Sequence, residues 1–143
     1  MDEVGGETIM VTYLHANCDG GSRGNPGPAA IGGVIRKKNG TILYTFSERI
    51  GETTNNVAEY SSLLKTLSLF ETYGAGKGVI EMDSQLIVNQ VQGTWNVNSD
   101  RLKPLHQEVI SMLQGKNVKL RYVPRDTEYQ VMADTEVNKA FDS

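Results

Sequence analysis

With 143 residues, 38% of them hydrophobic and 22% charged, the chain is sized and composed for one globular domain with a substantial core. A net charge of −3 argues against a nucleic-acid partner held by bulk charge alone, and no apolar run approaches the length of a membrane span. The opening MDEVGGE lacks the basic-then-apolar order of a signal peptide. The single cysteine, Cys18, cannot form an internal disulfide, so a reducing, cytoplasmic setting is expected.

Residues 1–7 read as a short N-terminal tail and residues 8–143 as one domain without repeats or linkers. Thr8 to Cys18 is rich in β-branched and aromatic side chains and predicts a strand. The stretch AAIGGVIRKKNGTILYTFSERI predicts two strands around the hairpin signal Asn39-Gly40. From Val57 to Tyr73 the period changes. Tyr60, Leu63, Leu64, Leu67 and Phe70 recur at helical spacing and give one apolar face. GVIEMD is a short strand, and SQLIVNQVQ after it predicts a helix. Leu102, Leu105, Val109 and Met112 mark another, with Pro104 near its first turn, where proline is tolerated. NVKLRYV is a last strand, and Val131 to Phe141 a last helix. The order predicts an α/β fold: an antiparallel meander of three strands, then further strands joined through helical crossovers.

Four acids fall at element ends or on inward faces of that scaffold. Asp19 ends the first strand at the turn-rich DGGSRGNPGPA, on the face of His15 and Asn17 and opposite Cys18. Glu59, in the first turn of the long helix, lies about 40° from Leu63 and about 20° from Phe70, on the apolar stripe. Asp83 follows the VIEM strand, at the carboxyl end where open α/β sheets build their sites. Asp134 lies about 20° from Phe141, at the edge of the last helix's apolar stripe. Taken singly, each has an ordinary role in a turn, a cap or a solvated face. Gathered together they would repel unless a cation held them, and Mg²⁺, a hard ion that prefers carboxylate oxygens, is the natural candidate.

DGGSRGNPGPA, TTNNVAEY, MDSQLIVNQVQGTW and YVPRDTEYQVMAD resemble, in order and spacing, the four successive motifs of type 1 ribonuclease H, from about Met10 to Ala140. The resemblance implies a mixed five-stranded sheet flanked by helices, with the first three strands antiparallel and the last two parallel to the first. It also implies hydrolysis of the RNA strand of an RNA–DNA hybrid. Asp19, Glu59, Asp83 and Asp134 would bind two Mg²⁺ ions, with Mn²⁺ as a substitute and Asp19 shared between the ions. Such a pair generates a hydroxide from bound water and stabilises the leaving 3′ oxygen, giving 5′-phosphate and 3′-hydroxyl ends. The glycines after Asp19 would let a nucleic-acid backbone come close. Asn25, Asn56 and Gln85 match contacts to the hybrid's minor groove and its 2′-hydroxyls, and Thr54 and Asn55 match contacts to DNA phosphates. A monomer without membrane attachment is expected.

The chain departs from the family pattern in three places. The loop PRDTEYQVMA lacks the histidine common there, and Arg125 is the nearest candidate to substitute, although an arginine cannot accept a proton. Glu136 stands where a leucine is usual two positions after the fourth acid, which makes it an alternative to Asp134. The lysine-rich handle helix that bacterial relatives often carry after the tryptophan is absent: GTWNVNSDRLKPL offers only Arg101 and Lys103, and Trp95 reads as a core anchor. A non-catalytic nucleic-acid-binding module of the same fold is the alternative to an enzyme. Four metal-bound acids would move the formal net charge from −3 to +1 and make the site receptive to phosphate.

Overall fold

The β-branched and aromatic residues around Tyr13 build the middle of a five-stranded sheet. A computed structural model describes residues 12–143 throughout and, before them, the backbone of Asp2–Val4 and Glu7–Ile9. Those two short strands, β1 and β2, pair as a separate antiparallel hairpin. Of the tail expected over residues 1–7, Met1, Gly5 and Gly6 lie outside the described residues.

The main sheet contains β3 (Tyr13–Ser22), β4 (Gly27–Arg36), β5 (Ile42–Thr53), β6 (Lys77–Met82) and β7 (Asn117–Tyr122). Its order is β5-β4-β3-β6-β7. β3, β4 and β5 form the antiparallel meander, turning at Gly40 with φ 94° between β4 and β5. β6 runs parallel to β3, and β7 parallel to β6. This is the sheet expected from the sequence.

The first strand differs in its bounds. It begins at Tyr13 rather than Thr8, Met10 and Val11 lie outside the described residues, and it continues through Asp19 to Ser22. Gly20, Gly21 and Ser22 stay in register with Ile31, Ala30 and Ala29, so cross-strand pairing carries the strand through residues that locally signal a turn. Asp19 is therefore inside β3, not at its end.

Alternation gives β3 two buried faces. Leu14, Ala16 and Cys18 point into a cluster with Tyr60, Leu63, Leu67 and Phe70 of helix α1 (Asn55–Tyr73). Each such large apolar side chain contributes roughly 2 kcal/mol when fully buried. Thr54 caps α1 by accepting from the Val57 amide, and Gly74 ends it with φ 75°. Helices α2 (Gln85–Val91, capped by Ser84) and α3 (Lys103–Leu113, with Pro104 in its first turn) contribute to the same layer. The opposite face is covered by α4 (Glu128–Asp142) through a thin apolar seam of Ala30, Val137, Ala140 and Phe141. Trp95 is not a core anchor: it is 45% exposed and lines a depression of about 520 Å³ between the end of α2 and α3, beside His106. No described helix is long and apolar enough to cross a membrane.

Candidate active site

Two close approaches bring the acids together, and both need glycine. A Cβ on Gly20 would lie 2.3 Å from the Ala58 carbonyl oxygen and 2.8 Å from the Glu59 nitrogen, so only a bare backbone lets the first turn of α1 touch β3. On the other face a Cβ on Gly32, the partner of Asp19 in β4, would lie 2.5 Å from the Val137 nitrogen of α4. Gly20 thus serves the approach of α1, rather than leaving room for a ligand backbone.

With the helices seated, Asp19 of β3, Glu59 of α1 and Asp83 at the end of β6 each offer a carboxylate oxygen within 4.8 Å of the others. Burial, followed by the charges of Asp83, Asp134 and Glu59, pushes the Asp19 carboxyl up to about 8. Burial also raises Glu59 to about 7, against a hydrogen bond from Ser84 and with help from the Asp83 charge. Asp83 is raised too, by burial first, while its own backbone amide and the Arg125 charge oppose the shift. Asp134, on α4, is not one of the three convergent oxygens. Its charge nevertheless bears on both Asp19 and Asp83, and it shares a hydrogen bond with Asp19.

Glu136 faces elsewhere. Its carboxylate accepts from Lys139 at 3.1 Å and its carbonyl accepts from the Ser47 hydroxyl at 2.6 Å, over β5. Arg125 is exposed in the β7–α4 loop, close enough for its charge to reach Asp83. Oxygen-only donors that repel one another at this spacing fit a hard divalent cation, and Asp19, Glu59, Asp83 and Asp134 are the groups that could hold it.

The raised carboxyls carry a sign. Between their unfolded values near 4 and their folded values of about 7 and 8, the native chain binds more protons than the unfolded chain. Metal-free protein should therefore lose several kcal/mol of stability as pH rises through that window. Mg²⁺ should restore the Tm at pH 8 far more than at pH 5. Thermal melts at both pH values, with and without the ion, check this; a flat Tm across the window would mean the acids are not strained.

The five expected substrate contacts divide between two places. Asn25, Thr54 and Asn56 line a depression of about 310 Å³ with Ser99, Arg101 and Leu102. Asn25 and Asn55 also work structurally: Asn25 Oδ1 accepts from the Asn55 amide at 3.0 Å, and Asn55 Oδ1 accepts from the Ser22 amide at 2.8 Å, lacing the start of α1 to β3. Gln85, at the start of α2, is exposed and opens instead on a groove of about 540 Å³ between α2 and β7. Lys103 is tied to Asp100 at 3.2 Å, which leaves Arg101 as the cation facing the first depression.

A protein-family model described as "Reverse transcriptase-like" matches residues 17–140. The chain is 37% identical over 130 residues to a ribonuclease HI of Halobacterium salinarum, covering 90% of this chain and 64% of that protein. It also superposes on the RNase H1 structure from that organism with a TM-score of 0.85 and 37% identity, covering 91% of this chain and 98% of that one. The chain belongs to the type 1 ribonuclease H family. An LC11-RNase H1 of this family, in complex with an RNA/DNA hybrid, matches with a TM-score of 0.84 at 38% identity, covering 90% of this chain and 96% of that one. The chain spans less than two thirds of the length of the archaeal ribonuclease HI.

Sequence reasoning missed Ser84, whose hydroxyl accepts from the Ile87 amide as a helix cap while also bonding Glu59. A serine opening a helix was visible in the sequence, but its second partner comes from another element. It also missed Gln130, and the role of Asn17, whose partners lie on other elements.

Proposed function

We propose that this type 1 ribonuclease H is an endonuclease that hydrolyses the RNA strand of RNA–DNA hybrids with two Mg²⁺ ions, leaving 5′-phosphate and 3′-hydroxyl ends. The convergence of the Asp19, Glu59 and Asp83 oxygens within 4.8 Å carries this reading. Metal held by Asp19, Glu59, Asp83 and Asp134 would supply a hydroxide nucleophile and charge neutralisation at the leaving oxygen. Asp19 is the shared ligand, since the charges of Asp83, Asp134 and Glu59 all bear on it. Asp134 completes the set, and Arg125 offsets charge beside Asp83 without taking a proton. Asn25, Asn56 and Gln85 meet the 2′-hydroxyl side of the hybrid, and Thr54 and Asn55 meet DNA phosphates. All four candidate acids lie on one chain, which supports action as a monomer, and the single buried thiol suits a reducing cytoplasm.

The decisive assay offers labelled RNA–DNA hybrid, duplex RNA, duplex DNA and single strands, each with Mg²⁺, Mn²⁺ or chelator. Metal-dependent cleavage of the RNA in the hybrid is expected, and chelator should abolish it. Tight binding to hybrid with no cleavage in either metal would mark a non-catalytic binding module instead.

The fourth acid has its own test. Asp134→Asn should lower turnover by about a hundredfold and Glu136→Gln by less than about threefold, since Glu136 is occupied by Lys139. The reverse ranking in steady-state rates would reassign the fourth ligand.

A further inference from the structure

α4 carries Asp134, yet its apolar seam engages mainly its second half. Its first turns are held by polar groups. Gln130 is fully buried, and both ends of its amide are used. Its Oε1 accepts from Asn17 Nδ2 at 3.0 Å, and its Nε2 donates to the Cys18 carbonyl at 3.0 Å. Asn17 and Cys18 are the two residues that precede Asp19 on β3, and Gln130 lies one helical turn before Asp134, on the same side of α4.

The far side of this arrangement is locked as well. Asn17 Oδ1 accepts from Arg36 Nη1 at 2.7 Å, which fixes the Asn17 amide and hence which end meets Gln130. The Arg36 guanidinium lies 3.6 Å from the centre of the Tyr129 ring, on the same helix, and 3.5 Å from the Glu81 carboxylate. Glu81 in turn accepts from Arg121 of β7. Side chains from β3, β4, β6, β7 and α4 thus meet in one network beside the acid cluster, in which His15 Nε2, 3.7 Å from Glu81 Oε1, is buried without a hydrogen bond. Packing alone would be served as well by leucine. A buried amide bonded at both ends adds direction, because its two bonds hold one distance and one rotation of the helix.

We propose that Gln130, held by Asn17 and Arg36, is a positioning residue that sets Asp134 against Asp19 and so completes the metal site. The proposal rests on Asp134 being the fourth metal-binding carboxylate, as read above. Gln130 touches neither metal nor substrate; it acts through the turn of helix between itself and Asp134.

A double-substitution cycle tests it in the full chain. Gln130→Leu should lower kcat on hybrid by roughly 10–100-fold with KM within about twofold, and raise the Mg²⁺ concentration for half-maximal rate several-fold. In an Asp134→Asn background the same change should alter kcat by less than about twofold, because the residue it acts through is already lost. Gln130→Glu, which keeps the acceptor toward Asn17, should fall between Gln130→Leu and the wild type and serves where the leucine variant folds poorly. Equal proportional losses in both backgrounds, or a KM effect as large as the kcat effect, would overturn the proposal and leave Gln130 as ordinary fold support. The cycle can also be read without nucleic acid, as the rise in Tm caused by Mn²⁺, so a wild type that binds metal but cleaves no hybrid would fail the enzyme reading and still decide the clamp.

Discussion

Replacing Asp19 by asparagine is expected to cut hybrid cleavage by about a thousandfold or more while making the metal-free protein more stable. The catalytic loss follows from its place at the centre of the cluster: it is the acid that Glu59, Asp83 and Asp134 all act upon. An amide offers one neutral oxygen where a shared ligand must offer two charged ones, and a thousandfold corresponds to roughly 4 kcal/mol of transition-state stabilisation. The gain in stability has the same origin. A buried carboxyl pushed up to about 8 by burial and its neighbours opposes folding at neutral pH, and asparagine removes that cost while keeping the shape. At pH 7.5 in chelator, Tm should rise by several degrees. In saturating Mg²⁺ the order should invert, since the wild type gains more from the ion. Rate assays and melts on the same preparations check both halves; a variant that is inactive and less stable in chelator would point to a folding defect rather than a lost ligand.

The second large effect is expected at Gly20. Gly20→Ala would force a Cβ to within 2.3 Å of the Ala58 carbonyl, and backbone on both sides must give way. Overpacking of this kind costs roughly 3 kcal/mol or more when no flexible side chain can yield. Because the displaced segment is the first turn of α1, Glu59 should move with it, and cleavage should fall even at temperatures where the variant remains folded. Gly21→Ala is the control. Its Cβ would meet only Asn55 Oδ1, at 3.6 Å, so its stability should change by less than about 1 kcal/mol. If the two variants melt alike, the close approach of α1 to β3 is not what the glycine serves.

These two neighbours also show where the sequence could and could not be read. The helical spacing of Tyr60, Leu63, Leu67 and Phe70 and the β-branched strands announced their elements directly, because each records a local period. The acids were legible as a set, because Glu59 on an apolar stripe and Asp83 at a strand end are locally out of place. What failed was information held between elements. The Gly-Gly after Asp19 signals a turn in isolation and becomes strand only when β4 pairs with it. Trp95 carries the composition of a core residue, yet nothing local says that its loop leaves it on the surface. Gln130 shows no pattern at all, since its partners lie 112 and 113 residues away in the chain. The separation of Asp134 from Glu136 likewise needed the rotation of α4 about its axis, which Gly32, the seam at Val137 and the two Gln130 bonds fix together.

The seating of Cys18 gives the molecule a built-in clock. It is the sole cysteine, fully buried between β3 and α1, and burial pushes its thiol up to about 12 despite the Thr66 and Ser62 hydroxyls beside it. A thiolate is the reactive species, so the native state should be silent toward alkylating reagents. Modification then requires α1 to lift from the sheet, the same motion that would carry Glu59 away from Asp19. Under reagent excess, the labelling rate of Cys18 counts openings of that interface, and its slowing by divalent ions reports how firmly the acids are bound together.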